Sequence, residues 1–105
     1  MTDKKHMHKP IDFDNITEQI VNKYGIEVQT YIWMEECAEL AQAFSKMIRK
    51  GDYKSKENLI EEIADVCICM NQAMYAYGIT DADLWEMMCN KNKRNYERLL
   101  KDETK

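Results

Sequence analysis

The chain predicts an all-α domain, a four-helix bundle-like fold built on a central antiparallel helical hairpin. Two observations carry this reading. Apolar residues recur at helical spacing through two long stretches, with no β-hairpin signal, repeat or linker among them. The three glycines and single proline of the 105 residues fall only where a helix boundary is wanted.

Taken in order, Pro10 closes a polar leader over residues 1–12, in which His6 and His8 flank Met7, and residues 13–101 form the domain. Asp14 is placed to cap a short helix, Asn15 to Tyr24, that Gly25 ends. A second helix runs from about Ile26 to Lys50. It finishes in Lys46, Arg49 and Lys50 before Gly51, and cations in a last turn suit the helix dipole. Ser55 is the expected cap of a third helix, which reaches Tyr77 and stops at Gly78. Thr80 or Asp81 caps a fourth that extends to about Leu100. The two central helices match in length, ~35 Å each at a rise of 1.5 Å per residue. A short turn between them predicts an antiparallel hairpin.

Composition bounds the function. A chain of this length is one small domain. Its net charge of −4 and pI near 5.2 argue against a general binder of nucleic-acid polymers, which carries a basic footprint. No run approaches the ~20 apolar residues of a membrane span. The N-terminal segment lacks the apolar core of a secretory signal, so a cytoplasmic location is expected. Cys37, Cys67, Cys69 and Cys89 all fall within helices, and the spacing of Cys67 and Cys69 points them to different faces. That is unlike a structural zinc knuckle, and buried reduced thiols are expected instead.

Two acidic pairs say most about chemistry. Glu36-x-x-Glu39 and Glu62-x-x-Asp65 sit on the successive long helices, and residues three apart share a helix face. On the second helix Trp33, Cys37, Leu40, Phe44 and Met47 form an apolar stripe that Glu36 and Glu39 border, while Glu35 points away. On the third, Glu62 borders the stripe of Leu59, Ile63, Val66, Met70, Met74 and Tyr77, with Asp65 further round among Cys69, Ala73 and Ala76. Counting outward from Tyr53 in the turn sets Glu39 nearly level with Asp65, and Glu36 and Glu62 about a turn away on opposite sides. Two unit charges ~5 Å apart repel by roughly 3 kcal/mol at an effective dielectric near 20. A bound divalent cation relieves that repulsion. All-carboxylate ligands select Mg2+ or Mn2+ over zinc or copper. A di-iron bundle needs Glu-x-x-His motifs, whereas the only histidines here precede Pro10.

Magnesium held by a few carboxylates usually completes its shell with substrate phosphates. The fourth helix offers a face for them, because Leu84, Met88, Lys91, Asn95 and Arg98 follow one helical stripe that turns from apolar to cationic and amide. Gln29, Tyr31, Trp33, Tyr75 and Trp85 are candidates to stack on or hydrogen-bond a base, and packing roles compete for each aromatic.

Together these residues make the chain resemble the MazG-like nucleotide pyrophosphohydrolases of the all-α NTP pyrophosphatase superfamily. Glu35-Glu36-Cys37-Ala38-Glu39-Leu40 matches that family's EExxEL, and Glu61-Glu62-Ile63-Ala64-Asp65-Val66 its E(E)xADV. Lys91-x-x-x-Asn95-x-x-Arg98 resembles the K-x3-N-x2-R element of several members, and the stretch Tyr24 to Gln29 resembles the approach to the first motif. The likeness covers about residues 20 to 100. It implies that Glu36, Glu39, Glu62 and Asp65 hold magnesium, and that a nucleoside triphosphate is cleaved between its α and β phosphates. It further implies that Glu36 or Glu39 activates the water, that Lys91, Asn95 and Arg98 stabilise the departing pyrophosphate, and that the protein is a homodimer or homotetramer. A third helix apolar on more than one side independently predicts a subunit contact. Other readings are phosphoribosyl-ATP pyrophosphohydrolase and a catalytically silent helical module that binds a nucleotide or a protein.

Overall fold

The computed structural model describes residues 12–103; apart from Asp12, the expected leader and its histidines lie outside them. The described residues form four helices and no strands: α1 (Phe13–Tyr24), α2 (Ile26–Lys50), α3 (Tyr53–Tyr77) and α4 (Asp81–Glu103). None is long and apolar enough to cross a membrane.

The ends of the helices follow from local hydrogen bonding. α1 begins two residues before the expected start because Asp12, not Asp14, caps it, its Oδ1 accepting from the Asn15 N–H at 3.0 Å. Asp52 likewise replaces Ser55 as the cap of α3, accepting from the Ser55 N–H at 2.8 Å. α4 opens on a reciprocal box. The Thr80 hydroxyl accepts from the Asp83 N–H at 3.0 Å, and the Asp83 carboxylate accepts from the Thr80 N–H at 3.1 Å. All three glycines stand at helix ends with positive φ. Gly25 (φ +88°, ψ +157°) separates α1 from α2 with one residue, and Gly51 (φ +61°) ends α2 in the left-handed region.

α2 and α3 pack along their length, and α1 lies against both. Val21 of α1, Trp33 of α2 and Cys69 of α3 form the buried apolar cluster, with Ala73 and Ala76 packed beside it. The rest of the seam is small or polar: Gln29 and Ala43 on α2, and Ser55 and Gln72 on α3, are buried. One acceptor ties this seam together. Gln72 Oε1 accepts from Gln29 Nε2 at 3.1 Å and from Trp33 Nε1 at 2.9 Å.

Of the two expected apolar stripes, only Trp33 is buried in the contact line. Phe44, Ile63 and Met70 are 49 %, 42 % and 40 % exposed. Gln29, Trp33 and Ala43 fall at i, i+4 and i+14, and Glu36 at i+7 lies on the same line. The expected burial of four thiols also changes. Only Cys69 is buried, while Cys37, Cys67 and Cys89 are exposed on helix sides that no other element covers. α4 packs on none of the other helices, and none of its residues is buried.

Gln72→Leu removes the shared acceptor and leaves two buried N–H donors unpaired, which at typical magnitudes destabilises the fold by about 2–4 kcal/mol. Urea unfolding at fixed protein concentration measures this, and an unchanged midpoint would contradict the role given to Gln72.

Candidate metal centre

The bond between Gln29 and Gln72 sets the stagger of the hairpin. Seven residues toward the turn from each, two helical turns, stand Glu36 and Asp65; ten residues from each stand Glu39 and Glu62. The cross-pairing is thus Glu36 with Asp65 and Glu39 with Glu62, shifted from the expected alignment of Glu39 with Asp65. Counting from the turn missed it because Asp52, the cap, begins α3 earlier than Ser55 would.

The four carboxylates converge. Single oxygens of Glu36, Glu62 and Asp65 all lie within 4.8 Å of one another. Glu39 stands within hydrogen-bonding reach of both Glu36 and Glu62. Glu36 Oε2 and Glu62 Oε2 are buried without a hydrogen-bond partner. Burial pushes the Glu36 carboxyl above its ordinary value, and the charges of Glu39, Asp65 and Glu62 push it further. Glu62 is raised in the same way, by burial first and then by Glu39 and Asp65. Carboxylates at this separation stay together only with a proton or a cation among them.

The donor set fits a hard dication. Every converging ligand atom is a carboxylate oxygen, and two of those side chains have a buried oxygen that nothing in the fold satisfies. Burial first, and then the charges of Glu36 and Asp65, push the Cys69 thiol up to about 11, so it stays protonated at neutral pH and is no thiolate rival. Glu35 and Glu61 are exposed. A groove of about 620 Å³ opens beside Glu39 and Glu62 and runs toward the α2–α3 turn.

The remaining candidates lie elsewhere. Gln29 and Trp33 are buried, 4 % and 6 % exposed, and both donate to Gln72, so their polar hydrogens are used inside the fold. Tyr31 and Trp85 are exposed, and the Tyr75 hydroxyl donates to Asn22 at 3.3 Å. Lys91, Asn95 and Arg98 are exposed on α4, with Asn95 donating to Asn92, and the fold of one chain does not bring them to the carboxylates. Sequence reasoning passed over Gln72. Its signal was an amide on a mostly apolar helix, seven residues beyond Asp65.

Raised carboxyls have a definite sign. The folded chain binds protons at Glu36 and Glu62 more tightly than the unfolded chain, so their contribution to stability is full below the ordinary value of 4.5 and is lost as pH rises through the raised values. Magnesium or manganese acts oppositely, because it competes with those protons. The rise in melting temperature on adding either cation should therefore grow with pH across that window. Glu62→Gln should melt higher than the parent in chelator and lose the cation-dependent gain. A gain that is flat with pH, or that survives in Glu62→Gln, would remove the metal centre.

In comparison with known proteins, the chain matches no family model, no curated protein and no solved structure.

Proposed function

We propose that this protein is a magnesium-dependent nucleoside triphosphate pyrophosphohydrolase, converting a (d)NTP to the monophosphate and pyrophosphate in the cytoplasmic nucleotide pool. One observation carries the reading: four carboxylates from two helices meet in the hairpin seam, with buried oxygens on Glu36 and Glu62 that no protein donor satisfies. The likeness to the MazG-like enzymes at Glu35–Leu40 and Glu61–Val66 supplies the reaction class.

Glu36, Glu39, Glu62 and Asp65 would hold the cation. Magnesium, or manganese in its place, neutralises phosphate charge and acidifies water when bound. Glu36 or Glu39 accepts the proton of the attacking water as its oxygen bonds to phosphorus. The bridge between the α and β phosphates breaks, and pyrophosphate leaves with the bonding electrons. Lys91, Asn95 and Arg98 then reach the leaving group from α4 of a second copy, because α4 packs on nothing in its own chain. A homodimer or homotetramer is supported by the exposed apolar residues Leu84, Trp85, Met88 and Leu99 on that helix. A helix of this length is marginal in water without tertiary packing. The radius of gyration is 18.0 Å, against about 13 Å for a compact 100-residue domain. Buried Gln29 and Trp33 support the hairpin in this scheme, and the base meets residues closer to the surface.

Pyrophosphate release from a panel of nucleoside triphosphates, with and without magnesium, is the direct test. Glu39→Gln and Asp65→Asn should each lower kcat/KM by roughly 100-fold; unchanged turnover would void the ligand assignment, and no turnover of any nucleotide by the parent would void the enzyme. Light scattering during gel filtration should give a dimer or tetramer, with a monomer at micromolar concentration counting against subunit completion.

A further inference from the structure

The groove beside Glu39 and Glu62 has two electrostatic ends. At one stand the two carboxylates. At the other, toward the turn, stand Lys46 and Arg49 of α2 and the Asn58 amide of α3, with Gln42 between. Lys46 is seven residues beyond Glu39, about 10 Å along the axis, and Asn58 is one turn before Glu62. Lys46 and Arg49 are three apart and share a face. Among the described residues neither cation is ion-paired. Opposite charges thus line one groove without closing on each other.

We infer that Lys46, Arg49 and Asn58 form the outer polyphosphate subsite of this groove, which receives the oxyanion end of a magnesium-bound triphosphate whose metal end meets the carboxylates. The inference rests on reading the carboxylates as a metal centre, and it adds a phosphate contact from within the same chain that owes nothing to α4. The chemistry fits at both ends. A metal polyphosphate is itself cationic at the ion and anionic at its free oxygens, so it lies along the groove in one direction only. Arg49 offers paired N–H donors for phosphate oxygens, Lys46 a point charge, and Asn58 a neutral donor that tolerates a ligand of changing protonation.

The rival explanation is that these cations only complement the dipole at the end of α2. Lys50 separates the two, since it sits in the same last turn and does not line this groove. The experiment is calorimetric titration of inorganic tripolyphosphate, with magnesium present, into the full-length protein and into Lys46→Gln, Arg49→Gln and Lys50→Gln, each checked for its melting temperature. Lys46→Gln and Arg49→Gln should each bind about tenfold more weakly while folding normally, with Lys50→Gln within about twofold of the parent. Arg49→Lys should recover part of the loss. Equal weakening by all three charge removals, or melting changes without any loss of affinity, would overturn the subsite. Its failure is distinguishable from failure of the enzymatic reading. Loss of tripolyphosphate binding in the two groove variants of a protein that hydrolyses no nucleotide would keep the subsite and reject the hydrolase. Hydrolysis with unchanged KM in those variants would do the reverse.

Discussion

A single carbonyl oxygen, Gln72 Oε1, locks the register on which the site depends. It takes one N–H from Gln29 and one from Trp33, all three residues being buried. A buried amide that satisfies two donors is directional in a way that apolar contact is not. A seam of small side chains allows many offsets of nearly equal packing energy, and this acceptor selects one. From that point the helical repeat does the rest, because seven and ten residues on each strand of the hairpin are close to two and three turns. Four carboxylates arrive in one place as a consequence.

Such convergence opposes folding. Acidic groups on the contact line lose water and repel one another, and Glu36 and Glu62 respond by holding their protons more tightly. A hairpin seam made of leucine would escape this repulsion and be more stable. The fold tolerates the conflict because it is confined to two turns of helix, flanked on the α1 side by the Val21–Trp33–Cys69 cluster and on the turn side by Ala43 and Ser55. Local rules broken at one place, amid agreement elsewhere, are the usual mark of a functional site.

The chain also leaves much of its apolar surface in water. Ile48, Tyr53, Tyr77 and Trp85 are 87 %, 76 %, 61 % and 66 % exposed, and α4 has no partner within its own chain. Surface of that extent is normally an interface. Three cysteines expected in a core, Cys37, Cys67 and Cys89, belong to the same exposed surface. The polar groove at the turn and the exposed apolar flanks thus lie on different parts of the hairpin.

By itself the sequence determined the helices, their lengths and their breaks, because periodicity, glycine punctuation and acidic caps act over a few residues. It determined as well that two acidic pairs stand on adjoining helices. The cap positions were misread by two or three residues, since Asp12 with Asp14 and Asp52 with Ser55 are locally equivalent candidates. Only the tertiary structure decided which face of each helix meets the other, and it chose a small, polar line through Glu36 and Glu62 over the bulkier stripes of Phe44 and Ile63. That choice turns on long-range hydrogen bonds from Gln72, across 39 and 43 residues of chain, which no local pattern encodes. Long-range packing likewise brought Asn58 and Glu62 of α3 to the groove that Glu39, Lys46 and Arg49 line on α2, and left Lys91, Asn95 and Arg98 away from it, because a stripe on one helix says nothing of what it will face.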